Sequence, residues 1–154
     1  MRVFYYDFSD PAAYLLAEQM PQAEWVPVRA KAISAAVPTL DGIEEQVIAA
    51  GHQPFSAPAR FPFDAEPALR AATYAATIGK VVAFSLAAFR QAYAGGRPLD
   101  DPDNVVIAAA ACEMHPRAVL QAMERDTITR KLDAATALAQ QRVDRVPIFW
   151  DPPQ

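Results

Sequence analysis

Val3-Phe4-Tyr5-Tyr6-Asp7-Phe8-Ser9-Asp10-Pro11 near the start of the chain, and Val146-Pro147-Ile148-Phe149-Trp150 near its end, decide the fold. The first run is aromatic and β-branched and too short for a helix, so Val3 to Phe8 reads as a strand. Asp10 suits an N-cap, because its side-chain oxygen can accept from the N–H groups of a first helical turn, and Pro11 suits the first helical position. A helix to about Met20 follows. Trp25-Val26-Pro27-Val28 is then a second strand, which Pro27 confines to a sheet edge or brings to an early end. The chain therefore opens βαβ. An X-Pro pair entering a strand is where a cis bond is most often kept, so Val146-Pro147 is expected to be cis. The tip of a βα turn carries free backbone N–H groups and the positive end of a helix. Asp10-Pro11 and Val146-Pro147 are expected to meet there and to flank one anion-favouring pocket.

Composition narrows what such a pocket can serve. With 154 residues and 53% hydrophobic content, the chain can bury a core in one compact unit or in one unit with an inserted lobe. A single cysteine, Cys112, excludes an internal disulfide and dithiol exchange by a CxxC pair, and fits a reduced compartment. A net charge of −4, a pI near 5.1 and scattered Lys and Arg speak against nucleic acid. The longest apolar run, Val105 to Cys112, is well short of the ~20 residues of a membrane span. The N-terminus has no signal-peptide pattern, so a cytoplasmic location is expected. His52 and His115 lack ligand-spaced partners, and no metal is expected.

Between Trp25 and Val146 the pattern is helical, and Pro at starts and Gly after ends punctuate it. Helices are expected over Asp41–Ala50 (closed by Gly51), Glu66–Ile78 (Gly79), Lys80–Ala94 (Gly95-Gly96), Asp101–Ala111, His115–Glu124 and Thr129–Gln141. Val82, Leu86, Phe89 and Tyr93 recur three or four apart and form a core stripe. Pro54, Pro58 and Pro62 among aromatics mark the stretch from Gly51 to Asp64 as a loop.

The run Phe4-Tyr5-Tyr6-Asp7-Phe8-Ser9-Asp10-Pro11-Ala12-Ala13-Tyr14-Leu15 resembles the opening of the 2-hydroxychromene-2-carboxylate isomerases, relatives of kappa-class glutathione transferases and DsbA-like proteins. Further segments follow in the family's order: Trp25-Val26-Pro27-Val28, Arg60-Phe61-Pro62-Phe63-Asp64, Phe84-Ser85-Leu86-Ala87-Ala88-Phe89-Arg90, Asp101-Pro102, and Ala134-Ala135-Thr136-Ala137-Leu138-Ala139 leading to Val146-Pro147. The resemblance implies an α/β thioredoxin-like domain, residues 1–29 and 130–154, with a helical domain, residues 30–129, inserted. It also implies glutathione as cofactor, held around Pro11, Val146, Pro147 and Asp64, and a small aromatic substrate.

The departures from the family bear on chemistry. The family serine that activates the glutathione thiol is here Asp10, which becomes the candidate catalytic position. A carboxylate there presents a like charge to a thiolate, which raises the thiol pKa. Helix end and N–H bonds are both expected to hold Asp10 itself low, away from the value suited to a general base. Arg142-Val143-Asp144-Arg145 stands where the family is rich in glycine. Where the family continues through a further strand and helix, this sequence reads Asp151-Pro152-Pro153-Gln154. The C-terminal strand and helix are thus expected to be missing, with a partner subunit, as in a homodimer, covering the open edge.

Plainer readings accompany each feature. Asp10-Pro11 caps a helix, Val146-Pro147 makes a rigid strand entry, Arg60 and Asp64 lie on a surface turn, and Cys112, Trp25 and Trp150 are core residues. Two functions stand side by side: thiol-assisted cis/trans isomerisation of a small aromatic carbonyl compound, and a degenerate relative that binds a peptide-like or aromatic ligand, or a partner subunit, without turnover.

Overall fold

Residue spacing at the N-terminus builds the sheet. In the computed structural model, which describes residues 1–154, β1 (Val3–Tyr6) is buried along its whole length. Phe4 and Tyr6 point to one face of the sheet and Val3 and Tyr5 to the other, the period of two that a strand imposes. β2 (Glu24–Pro27) runs parallel to β1, and β3 (Ile148–Trp150) runs antiparallel with Tyr5 opposite Ile148. The order is β2-β1-β3, so Pro27, which has no N–H to give, lies on an edge strand. β1 stops at Tyr6 rather than Phe8, because Asp7 turns the chain: its carbonyl accepts from Asp10 N–H at 3.3 Å.

Seven α-helices follow from the punctuation. They are α1 (Pro11–Glu18), α2 (Ile43–Ala50), α3 (Glu66–Thr77), α4 (Val81–Tyr93), α5 (Pro102–Ala111), α6 (Pro116–Glu124) and α7 (Asp126–Arg142). α1, α5 and α6 each begin at a proline whose predecessor caps the helix: Asp10 accepts from Ala12 N–H, Asp101 from Asp103 N–H, and His115 Nδ1 from Arg117 N–H. Gly79, at φ +73°, closes α3 and lets Lys80 N–H return to Ala75 C=O before α4 starts. α7 starts at Asp126, not Thr129. Arg125 alone separates it from α6, and the acidic side chain of Asp126 suits a first turn.

Aromatic rings fuse sheet and lobe into one core. Phe4 stacks on Tyr6 (4.9 Å between centroids) and approaches Phe149 (5.2 Å), while Phe8 reaches Phe89 of α4 (4.8 Å) and Tyr14 stacks on Tyr93 (5.7 Å). Two of the three buried tyrosine hydroxyls among them are bonded, Tyr6 with Ser85 Oγ at 2.6 Å and Tyr93 to Phe8 C=O at 2.7 Å, while the Tyr14 hydroxyl has no partner. Arg29 ties the exit of β2 to α3 and α7 by pairing with Glu66 and Asp133. No helix is long and apolar enough to cross a membrane.

Leu132 of α7 is fully buried in this core, whereas Ile107 of α5 is exposed. Leu132→Ala is expected to cost about 2–5 kcal/mol, and Ile107→Ala no more than about 0.5 kcal/mol. Urea unfolding of the two variants checks this, and equal costs contradict the packing.

Candidate functional site

The tip of the β1–α1 turn is closed by the chain's own groups. Pro11 has no N–H, Ala12 N–H donates to Asp10 Oδ1 at 2.9 Å, and Ala13 N–H donates to the Asp10 carbonyl at 3.0 Å. The three N–H positions nearest the helix end thus offer nothing to an incoming anion. The expectation of a depressed Asp10 pKa is corrected here. Burial of the carboxyl outweighs its one N–H bond and holds it above the ordinary carboxylate value.

Three residues earlier, Asp7 does more than the sequence reading assigned it. Its carboxyl is 5% exposed; one oxygen accepts from Ser9 N–H at 3.0 Å and the other from Ala30 N–H at 2.9 Å. A single buried group therefore sets the β1–α1 turn against the 3-10 turn Ala30–Ala32 that follows β2. Burial pushes its pKa up, and the neighbouring Asp10 charge adds to that. The signal was available: a lone carboxylate inside an apolar strand must be buried and bonded.

Open space lies beside this turn. One cleft of about 350 Å³ is lined by Asp7, Ser9, Arg29, Lys31, Phe63 and Glu66 among others, and a second of about 300 Å³ by Ser9, Lys31, Val37, Pro62, Phe63 and Asp64 among others. Shared lining by Ser9, Lys31, Phe63 and Asp64 makes them two lobes of one trough. Lys31 is the single charge between Arg29 and Asp41 in the sequence, which could have singled it out.

The predicted site residues divide between trough and turn. Asp64 lines both lobes, with Oδ1 accepting from Glu66 N–H at 3.0 Å; Asp10, Pro11, Val146 and Pro147 line neither. Val146–Pro147 is cis, as is Phe61–Pro62 at the trough. Extending the β1–β3 register by one residue puts Pro147 against Tyr6, at the same end of the sheet as Asp10. Arg142 stacks on Trp150 at 3.8 Å and donates to Tyr5 OH. Arg60 is engaged with Asp100. Cys112 is half-buried, its thiol pushed up by burial, and its carbonyl takes a hydrogen bond from Lys80 Nζ. His52 lies 3.9 Å from Glu18, and no three His, Cys, Asp or Glu side chains converge on a metal-sized site.

No family model matches the chain, and no curated protein matches it. Solved structures do. Over 99% of its length the chain is similar to 2-hydroxychromene-2-carboxylate isomerase (HCCA isomerase), with a TM-score of 0.86 and 16% identity, covering 86% of that protein. Over 96% of its length it is similar to a candidate protein disulfide isomerase from Nitrosomonas europaea, with a TM-score of 0.74 and 18% identity, covering 82% of that chain. At these identities the likeness is one of fold: a DsbA-like thioredoxin-type α/β domain with inserted helices.

Glutathione is the cofactor that the sequence resemblance implies. A thiolate at the helix end would call for an N–H donor there, and Ala12 N–H bonds the Asp10 carboxylate.

The raised Asp7 pKa fixes a sign. A group bound more tightly to its proton in the folded state adds stability below its ordinary value of 3.8 and loses that stability as pH climbs through the raised value. Asp7→Asn cannot ionise, so the gap in urea midpoint between wild type and variant is expected to move against wild type as pH rises from about 4 to 7. A gap that stays constant, or moves in favour of wild type, contradicts the burial of a titrating Asp7.

Proposed function

We propose that this chain is a thioredoxin-fold binding protein that holds a peptide-like or aromatic small molecule in the trough beside the β1–α1 turn, and that it does not activate a thiol. One observation carries this reading: Asp10 Oδ1 bonds Ala12 N–H at the place where an activated thiolate needs a donor. A helix N-terminus stabilises an anion by typically ~0.3–1 kcal/mol, up to ~2 when partly buried. Asp10 takes that stabilisation itself and opposes a second anion beside it. The trough supplies what a small-molecule site needs instead: concavity, an apolar wall at Phe63, Pro62 and Val37, and a few polar groups that fix orientation.

A second reading, glutathione-assisted cis/trans isomerisation of a small aromatic carbonyl compound, is favoured by the fold likeness over 99% of the chain. Fold alone carries little weight for activity, because one fold hosts many chemistries. For this reading to hold, Asp10 has to leave Ala12 N–H free.

Calorimetry with glutathione separates the two. Wild type is expected to give no measurable binding and no turnover of 2-hydroxychromene-2-carboxylate, and Asp10→Ser, which places a hydroxyl at the helix tip, to gain glutathione affinity over wild type. Tight glutathione binding with turnover by wild type overturns the proposal, and absence of binding in both forms removes the isomerase reading.

A further inference from the structure

The charges around the trough differ in how far they are already answered. Arg29 is held by Glu66 and Asp133, and Glu66 has Arg70 as a second cation at 3.6 Å. Asp7 is buried behind two backbone N–H groups. Two charged side chains remain without an opposite charge. Lys31 takes part in none of the chain's ion pairs, and Asp64 has only the Glu66 N–H on one oxygen. Both line both lobes.

That pairing selects among ligand classes. A ligand with a negative charge alone finds Lys31 but also meets Asp64, and one with a positive charge alone meets the reverse. A neutral ligand leaves both unanswered. A ligand with one charge of each sign answers both, and complementary placement of charge is what gives a site its specificity. Ser9 lines both lobes as well, but its N–H is committed to Asp7 and its side chain is within hydrogen-bonding reach of the same carboxyl, which leaves Lys31 as the open cationic group. Phe63 and Val37, the latter 77% exposed at the rim, wall the second lobe and suit a flat ring.

Resting on the reading of the trough as the ligand site, we propose that it takes a small zwitterion bearing an aromatic side chain: a free aromatic α-amino acid or a dipeptide ending in one. The carboxylate lies on Lys31, the ammonium on Asp64, and the ring against Phe63.

Calorimetry on the full chain near neutral pH tests this with L-phenylalanine, glycyl-phenylalanine, L-phenylalaninamide (positive only), 3-phenylpropionate (negative only) and the neutral ketone 4-phenyl-3-buten-2-one. The better of the two zwitterions is expected to bind at least about tenfold more tightly than either single-charge analogue, and which of the two it is distinguishes amino acid from peptide. Lys31→Gln is expected to weaken the zwitterion about tenfold while leaving the amide within about twofold, and Asp64→Asn to weaken the zwitterion while sparing 3-phenylpropionate. A single-charge analogue that matches the zwitterion on wild type, or zwitterion affinity unchanged in both variants, overturns the inference. If the ketone binds and neither zwitterion does, the inference falls and the trough stands as a ligand site; if none of the five binds, both fall.

Discussion

The hydrogen bond from Ala12 N–H to the Asp10 carboxylate determines what the helix end of this fold can do. At the N-terminus of α1, as at any helix start, backbone donors and the helix dipole converge. Here a side chain of the same turn fills it, and Pro11 removes a further donor. Capping stabilises α1, and the same bond withdraws the helix end from ligand chemistry. Partial burial raises the pKa of the Asp10 carboxyl rather than lowering it, against the effect of its one N–H bond.

Asp7 gives the neighbouring space its shape. With Ser9 N–H on one oxygen and Ala30 N–H on the other, it fixes two turns that are far apart in sequence. Ser9 and Lys31, two of the three polar residues common to both lobes of the trough, extend from those two turns. The far wall comes from Pro62, Phe63 and Asp64, after a stretch tied down by Arg60 on Asp100 and by Ala59 N–H on the Gly96 carbonyl. Polar atoms that would be costly to bury unpaired are thus used to place the loops, and the aromatic core from Phe4 to Tyr93 supplies the rigid floor beneath them.

Most of the fold could be read from local chemistry. Asp10-Pro11, Asp101-Pro102 and His115-Pro116 begin helices where the capping rules place them, Pro27 lies on an edge strand, and Val146–Pro147 is cis. The boundary between α6 and α7 was hidden because no glycine or proline marks it and Arg125 alone breaks the helical path. The candidate site was less legible. Asp64 could be placed near it, but Ser9, Lys31 and Asp7 come together only through contacts across the fold. The direction of the Asp10 shift was hidden for a related reason: sequence reveals the N–H bond and the helix end, not how far folding buries the carboxyl.

Backbone amide shifts of uniformly 15N-labelled protein, followed during a glutathione titration, probe the helix tip directly. The account predicts that the Ala12 resonance stays fixed across the titration, because its N–H remains on Asp10. A saturable displacement of Ala12, accompanied by residues around Pro147, would show that the helix end is open to a thiol after all and would contradict the account.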